Sequence, residues 1–276
     1  MPELPEVETI ASALRDGGRD APSIIGGRIS RAEVFWDKTV EEPSVVDFKR
    51  RIVGQTVKDV GRRGKFIIIT LSEDTMLVHL RMSGDLLVGE GDIPLGKYSR
   101  LALFMEQGFQ LSFNNARKFG RVWLVADPAM VTGNLGPEPF DLRLSALEFH
   151  RLLQERKRQL KPLLLDQTFL AGVGNIYADE ALNLAKIHPL TQANTLAKKK
   201  SAALLDALHE VLQEGIRRNG ASIDWVYQGG DFQNHFRVYQ RTGEPCLTCG
   251  TPISRIVVGQ RGTHFCRKCQ PSPRSV

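Results

Sequence analysis

The chain has 276 residues, of which 42% are hydrophobic and 25% charged, so it can form a folded core and global disorder is excluded. Its net charge of +6 favours a polyanionic partner, with nucleic acid as the first candidate and an anionic membrane surface as the second. No apolar run approaches the roughly 20 residues of a membrane span, and the acidic start does not resemble a signal peptide, so we expect a cytoplasmic, nucleoid-associated protein.

The first predicted element is an amphipathic helix over residues 6–15. Val7, Ile10, Ala11 and Leu14 recur at i, i+3, i+4 and i+7, which is the apolar stripe of such a helix. The prolines and acids of MPELPEVETI suit the first turn of a helix. These ten residues alone favour that interpretation.

A chemical interpretation of the same terminus stays open. Removal of Met1 would leave Pro2 with a free secondary amine. An α-amino group, with a pKa of about 7.7–8, is unprotonated at pH 7 far more often than a lysine, with a pKa of about 10.4. Such an amine can attack an aldehyde-like carbon and form an iminium ion. Glu3 lies beside it as a candidate general acid or base, and Glu6, one helical turn on, could share the acid–base or orienting work.

Between about residues 28 and 126 the pattern changes to short β-rich segments separated by Gly, Asp, Asn and Ser. The segments are RISRAEVFW, KFIIITL, TMLVHL, DLLV, LALFM, FQLSF and RVWLV. This pattern predicts an antiparallel sandwich or barrel. We therefore expect a β domain over residues 1–133, followed by a Gly- and Pro-rich linker at 134–145.

Helical patterns fill a predicted third region, residues 146–240. Ser145 is predicted to cap a helix through ALEFHRLLQERKRQL, with Glu148 at the capping-box position. Asn175 is predicted to cap a second helix through IYADEALNLAKI. The longest helix is predicted over about 196–218, where leucines, valine and isoleucine line one face.

The last predicted region, residues 241–276, carries every cysteine of the chain in a C-x2-C-x16-C-x2-C pattern. The cysteines are Cys246, Cys249, Cys266 and Cys269. Two close pairs at this spacing predict one structural Zn²⁺ ion held by four thiolates, with free thiols as the alternative. Residues 246–276 contain basic side chains and no acid, which indicates either a nucleic-acid contact or a solvated surface that offsets the charge of the tetrathiolate.

Short motifs run the length of the chain. They are PELPEVETI, RRGKF, HLRMSG, RKFG, LGPEP, GVGNIYADEAL and GQRGTHFC, together with the cysteine spacing. In this order they resemble the formamidopyrimidine-DNA glycosylase family of base-excision repair enzymes. The resemblance implies an α+β fold with an N-terminal β-sandwich and flanking helices, a helical domain with a helix–two-turn–helix, and a C-terminal zinc ribbon.

The resemblance also implies a bifunctional glycosylase and abasic-site lyase that excises oxidised purines, such as 8-oxoguanine and formamidopyrimidines, from duplex DNA. Pro2 would attack C1′ of the damaged nucleotide, and the Schiff base would lead to strand nicking by β,δ-elimination. Glu3 would protonate the opening sugar. Lys65 would contact phosphate and assist catalysis, although by itself it looks like a surface lysine before a buried strand. An endonuclease VIII-like enzyme for oxidised pyrimidines and a catalytically silent damage-binding protein are the alternatives. We expect a monomer.

Further DNA contacts follow from the resemblance. Asn175 would contact phosphate, although an ordinary helix N-cap explains it equally well from the residues alone. Arg261, counted with the catalytic residues, would clamp the phosphates beside the lesion. Lys161 would lie near the lesion strand.

Three side chains are implied to fill the space left by the everted nucleotide. They are Met82, Arg117 and Phe119, which match the family's inserted residues. By themselves, Met82 and Phe119 look like core residues beside turns.

The chain departs from the family pattern in three places. Arg81, expected to add a DNA-contacting cation, stands where the family usually has glycine. Asn115 stands where it usually has aspartate. The loop region 221–236 looks several residues shorter than usual, so this region bears on lesion preference.

Overall fold

The computed structural model describes residues 1–91, 95–222 and 229–273. Its helices are α1 (Leu4–Asp16), α2 (Val45–Ile52), α3 (Ala129–Thr132), α4 (Ala146–Gln154), α5 (Leu160–Leu164), α6 (Asn175–Leu184) and α7 (Lys198–Arg217). Its strands are β1 (Ile29–Val34), β2 (Val40–Glu42), β3 (Val57–Arg63), β4 (Phe66–Leu71), β5 (Thr75–His79), β6 (Gly84–Glu90), β7 (Ser99–Met105), β8 (Phe109–Asn115), β9 (Arg121–Val125), β10 (Ser254–Val258) and β11 (Arg261–Phe265). The predicted α+β class is confirmed.

The chain divides into two compact units. The first comprises Met1–Asn134 and Asn219–Gly230, and the second comprises Leu135–Arg218 and Asp231–Val276. The segment after α7 therefore belongs with the N-terminal unit. The domain boundaries inferred from the sequence, at 133–134, 145–146 and 240–241, stay predictions. Within the described ranges, no helix is both long and apolar enough to cross a membrane.

The first unit is built on two sheets. One has the strand order β1-β7-β8-β6 and is antiparallel, and the other has the order β2-β9-β5-β4-β3, with β2 and β9 as its parallel pair. Apolar side chains of both sheets share one core, to which Ile69 and Phe113 contribute from opposite sheets. The stripe predicted for α1 is confirmed, because Val7, Ile10 and Leu14 are buried in that core.

Strand register brings several functional candidates to one end of the five-stranded sheet. The turn that contains Lys65 joins β3 to β4, with Arg63 opposite Phe66. On the next strand His79 lies opposite Phe66, and the Arg81–Met82 loop follows directly. The sheet thus places the Lys65 turn and the start of the Met82 loop at the same end of its strands.

Two helices of the second unit differ from their predictions. Ser145 caps α4 as predicted, since its Oγ accepts the N–H of Glu148 at 3.2 Å. The helix ends at Gln154 instead of continuing to residue 160, and α5 begins separately. The N-cap of α6 is Gly174, so Asn175 is the first helical residue and its side chain is available for other contacts.

The β10–β11 hairpin is closed by a tight turn. Val258 pairs with Arg261, and the two residues between them, Gly259 and Gln260, have φ values of +55° and +63°. Two central residues with positive φ characterise the hairpin turn whose twist matches that of the strands. This turn presents Arg261 at the exposed tip.

Candidate functional site

The N-terminus of the first unit is ordered and buried. Pro2 and Glu3 are buried directly before α1. The backbone N–H of Glu3 donates to Oε2 of Glu6 at 2.7 Å, which satisfies a donor that the first turn of a helix leaves free. The terminus is therefore held in place by the first turn of α1 and is not a loose tail.

Glu6 has a second backbone partner far along the chain. Its Oε1 accepts the N–H of Ala221 at 2.8 Å. Gly220, with φ of +77°, allows the approach, because a Cβ there would lie 2.7 Å from Glu6 Cγ and Oε1. One buried carboxylate thus holds the backbone beside Pro2 and the segment after α7 together.

The loop region 221–236 is described only at its two ends. Residues 223–228 lie outside the described residues, so the apparent shortening is not described in full. At the near end, Ser222 Oγ accepts the N–H of Gly230 at 2.8 Å and donates to its carbonyl at 3.0 Å. These paired bonds hold Ser222 and Gly230 together.

Lys65 is only 4% exposed, so it is not the surface lysine that its position suggests. The side chain of Arg62 fixes its turn. Nε of Arg62 bonds Glu8 of α1 at 2.9 Å, and Nη1 donates to the carbonyl of Gly64 at 3.1 Å. Arg62, which the sequence did not single out, ties the Lys65 turn to the N-terminal helix.

His79 is a functional candidate that sequence reasoning missed. Burial, aided by the positive charges of Arg81 and Lys65, lowers the pKa of His79 to about 3. Its Nδ1 accepts the N–H of Arg81 at 3.1 Å. Its ring packs against Phe66 in a T-shaped arrangement, with the ring centroids 4.7 Å apart. The neutral ring therefore carries its proton on Nε2 and offers one N–H donor next to two cations.

The three wedge candidates lie on two exposed loops of the first unit. Met82 is 41% exposed and Phe119 is 54% exposed, which contradicts their interpretation as core residues. Arg117 is also exposed and its Nη1 lies 3.7 Å from the sulfur of Met82. The backbone N–H of Arg117 donates to Ser83 Oγ at 3.1 Å, which joins the two loops.

The two single-residue departures lie at the base of these loops. Arg81 has φ of +54°, a left-handed conformation that glycine adopts without strain, and its side chain is exposed. The buried amide of Asn115 donates to the Leu80 carbonyl at 3.1 Å and accepts the N–H of Phe119 at 3.1 Å. A carboxylate could only accept, so asparagine supplies a link that aspartate could not.

In the second unit, Asn175 and Arg261 lie at one junction. Nδ2 of Asn175 donates to the carbonyl of Gly262, the residue after Arg261, at 3.1 Å. Oδ1 of Asn175 is buried without a hydrogen-bond partner among the described residues. The side chain thus contacts the hairpin and does not serve as a helix cap.

Lys161 is buried inside the second unit, whereas a phosphate contact requires an exposed side chain. Its side chain is 0% exposed, and its Nζ lies 2.6 Å from Oδ1 of Asp179, which is equally buried. The same Nζ donates to the carbonyl of Asn175 at 2.8 Å. This full burial conflicts with a direct phosphate contact by Lys161, and its expected place near the lesion strand stays a prediction.

The four cysteines form a metal site in the second unit. Their sulfurs all lie within 4.8 Å of one another, with Cys246 and Cys269 at 3.9 Å and Cys249 and Cys266 at 3.5 Å. Tetrahedral Zn–S bonds of about 2.3 Å require sulfurs about 3.8 Å apart. The cluster fits one zinc ion, and four thiolate ligands leave no open coordination position, so the site is structural.

Models of three domain families match the chain in order. They are the formamidopyrimidine-DNA glycosylase N-terminal domain over residues 1–122, the formamidopyrimidine-DNA glycosylase H2TH domain over 135–226, and a zinc finger found in FPG and IleRS over 243–271. The match to the zinc-finger model agrees with the fit of the cysteine cluster to zinc.

Curated relatives match over nearly the whole length. The formamidopyrimidine-DNA glycosylase of Herpetosiphon aurantiacus is 41% identical, with 98% of this chain and 100% of the relative covered. That of Chloroflexus aurantiacus is 42% identical, with 98% of each covered. Among solved structures, Lactococcus lactis Fpg with DNA containing N7-benzyl-Fapy-dG superimposes with a TM-score of 0.90 at 36% identity, covering 98% of this chain and 100% of that one. The same protein with DNA containing an abasic site gives a TM-score of 0.89 with the same identity and coverage.

The zinc site yields a first prediction. Cys269→Ala should abolish stoichiometric zinc binding and unfold the hairpin, because a structural metal supplies folding free energy to a segment with little apolar core. Metal analysis and limited proteolysis measure this, with the exposed Leu247→Ala as the control. One full equivalent of zinc in Cys269→Ala would contradict the prediction.

The bridging role of Glu6 yields a second prediction. In Glu6→Gln one backbone N–H faces an amide NH₂ instead of an acceptor, so the free energy of unfolding should fall by about 2 kcal/mol. Urea unfolding followed by fluorescence measures the change. Glu8→Gln keeps an oxygen acceptor for Arg62 and for Ser12 Oγ and loses only the charge of the pair with Arg62, so it should cost about 1 kcal/mol or less. Equal costs for the two variants would show that Glu6 is not a bridge.

The neutral state of His79 yields a third prediction. The unfolded chain protonates this histidine near pH 6.5 and the folded chain only near pH 3, so stability is lost as pH falls between those values. His79→Asn should flatten the acid side of the stability curve by up to about 1.4 kcal/mol per pH unit. Urea unfolding from pH 7 to pH 4 tests this, and an unchanged slope would show that His79 is already charged in the folded state.

Proposed function

The chain belongs to the formamidopyrimidine-DNA glycosylase family, and from that premise we propose a bifunctional base-excision repair enzyme that removes oxidised purines from duplex DNA and nicks the abasic strand. The observation that carries the proposal is the N-terminus. Pro2 and Glu3 are buried before α1, and Glu6 fixes their backbone at a place where proteins usually have a mobile tail. An ordered, buried terminus suits a reagent.

In the proposed reaction, removal of Met1 exposes the secondary amine of Pro2. The amine attacks C1′ of the damaged nucleotide, a C–N bond forms, the bond from C1′ to the base breaks, and the base leaves with a proton. Glu3 protonates the ring oxygen of the sugar as it opens, so that an iminium ion forms between Pro2 and C1′. The iminium ion acidifies the neighbouring sugar C–H, and β- and then δ-elimination release the two phosphates.

The proposed DNA contacts come from both units. In the first unit, Lys65 and the neutral Nε2–H of His79 would bind phosphate, and Arg81 would add an exposed cation beside the wedge. In the second, Asn175 and Arg261 lie at one junction and would bind phosphates together. Basic side chains and a neutral N–H donor suit a phosphodiester, whose charge needs no proton from the protein.

The wedge residues support a substrate in duplex form. Met82, Arg117 and Phe119 are exposed on two linked loops, and a flexible thioether, a planar cation and an aromatic ring are side chains that can enter a base stack. We propose that they fill the gap left by the everted nucleotide and contact the orphaned base. A monomeric state and a cytoplasmic, nucleoid-associated location remain expectations.

Borohydride trapping on a panel of duplexes tests this function. Wild-type protein should form a covalent adduct fastest with 8-oxoguanine and formamidopyrimidine duplexes and more slowly with oxidised pyrimidines. Glu3→Gln should lose base excision by at least about 100-fold, the lower range for a general acid. It should keep part of its activity on a pre-formed abasic site, because an aldehyde needs less help to condense with an amine. The exposed Glu73→Gln is the control.

Three outcomes would contradict parts of the proposal. Faster adduct formation with oxidised pyrimidines than with oxidised purines would favour an endonuclease VIII-like specificity. Lesion binding with no adduct on any duplex would favour a silent damage-binding protein. Equal losses of Glu3→Gln on intact and abasic substrates would remove Glu3 from the base-excision step.

A further inference from the structure

A buried ion pair in the second unit joins three elements. Lys161 of α5 and Asp179 of α6 both have 0% side-chain exposure, and their charged atoms are 2.6 Å apart. Nζ of Lys161 also donates to the carbonyl of Asn175 at the start of α6, at 2.8 Å. The ion pair therefore ties α5 to the first turn of α6.

The other oxygen of Asp179 reaches the zinc hairpin. Oδ2 accepts the backbone N–H of His264 at 2.8 Å and lies 3.1 Å from Nδ1 of the same residue. His264 lies on β11, three residues after Arg261. A single carboxylate thus connects α5, α6 and the strand that leads from the hairpin tip.

The free-energy cost of burying two charges indicates that this pair has a geometric role. Removing two charges from water costs several kcal/mol each, and an apolar pair of similar volume is often as stable or more so. Stability alone therefore does not account for two buried charges here. Their hydrogen bonds, however, fix two backbone positions, the Asn175 carbonyl and the His264 N–H, on either side of the Asn175–Gly262 contact.

We propose that Lys161 and Asp179 are positioning residues for DNA binding, which hold the start of α6 and the zinc hairpin at a fixed separation so that Asn175 and Arg261 meet the phosphates together. Lys161 itself contacts no phosphate. This inference rests on the proposed function, because it presumes that Asn175 and Arg261 bind DNA. Pre-organisation raises affinity by removing the ordering cost that a loose junction would incur on binding.

The salt dependence of binding separates a positioning residue from a phosphate contact. Each phosphate contact contributes about 0.9 to the slope of log K against log salt concentration. Lys161→Met/Asp179→Asn removes both charges and keeps an oxygen acceptor for His264, so that no buried charge is left unpaired. Binding to a duplex with a tetrahydrofuran abasic-site analogue is measured across salt concentrations for this variant, Lys161→Met and wild type. Arg261→Ala and the exposed Lys157→Met serve as controls.

The double variant should keep one equivalent of zinc and bind about tenfold more weakly at every salt concentration, with the wild-type slope. With an 8-oxoguanine duplex and saturating protein, its single-turnover excision rate should stay within about twofold of wild type, because the proposed nucleophile and acid lie in the first unit. Lys161→Met should also keep the wild-type slope, whereas Arg261→Ala should lower it by about one.

Two results would overturn the positioning role. A slope lowered by about one in Lys161→Met, as in Arg261→Ala, would make Lys161 a phosphate contact. Wild-type affinity in the double variant would make the ion pair irrelevant to binding. Failure of the proposed function looks different, because the wild-type protein would then not bind the duplex or Arg261→Ala would keep the wild-type slope.

Discussion

The candidate active site depends on the Glu6 carboxylate. Its two oxygens accept backbone N–H groups that are 218 positions apart in sequence, from Glu3 at 2.7 Å and from Ala221 at 2.8 Å. A buried carboxylate is costly unless both oxygens are hydrogen-bonded, so the two segments must be in place together. Gly220 is part of the same constraint, because a side chain there would overlap Glu6. The terminus is therefore ordered by a contact with the segment after α7 as well as by the first turn of α1.

In the second unit, buried carboxylates likewise bind backbone N–H groups and attach the zinc hairpin to the helices. Two consecutive acids of α6 are buried and directed at backbone. Asp179 holds His264, and Glu180 accepts the N–H groups of Arg237, Val238 and Tyr239 at 2.7–3.0 Å. Burial raises the pKa of Glu180, although the three backbone donors oppose the shift. The hairpin is thus attached to the helices through carboxylate–backbone bonds in addition to the zinc ion, which suits a segment with a small apolar cluster.

Sequence patterns were sufficient where the signal is local. The i, i+3, i+4 spacing of α1, the β-rich runs and the cysteine pairs each depend on neighbouring residues, and each is confirmed. Local signals failed where distant contacts decide. The strand β3, with the sequence VKDVGRR, carries too many charges to read as a strand and gains its place by pairing with β4. The break between α4 and α5 has no Gly or Pro, and α5 takes its position from backbone bonds of Leu160 and Lys161 to the 189–191 segment. The partners of Glu6 and Asp179 were unpredictable for the same reason.

The central claim is that the ordered terminus is the reagent, with Pro2 as the nucleophile. Mass-spectrometric peptide mapping of the borohydride-reduced adduct with an 8-oxoguanine duplex tests it most directly, because reduction fixes the attacking nitrogen permanently. We expect the sugar remnant to be attached to the nitrogen of Pro2 in a peptide that lacks Met1. Attachment to Lys65, a buried amine of the first unit, would contradict it.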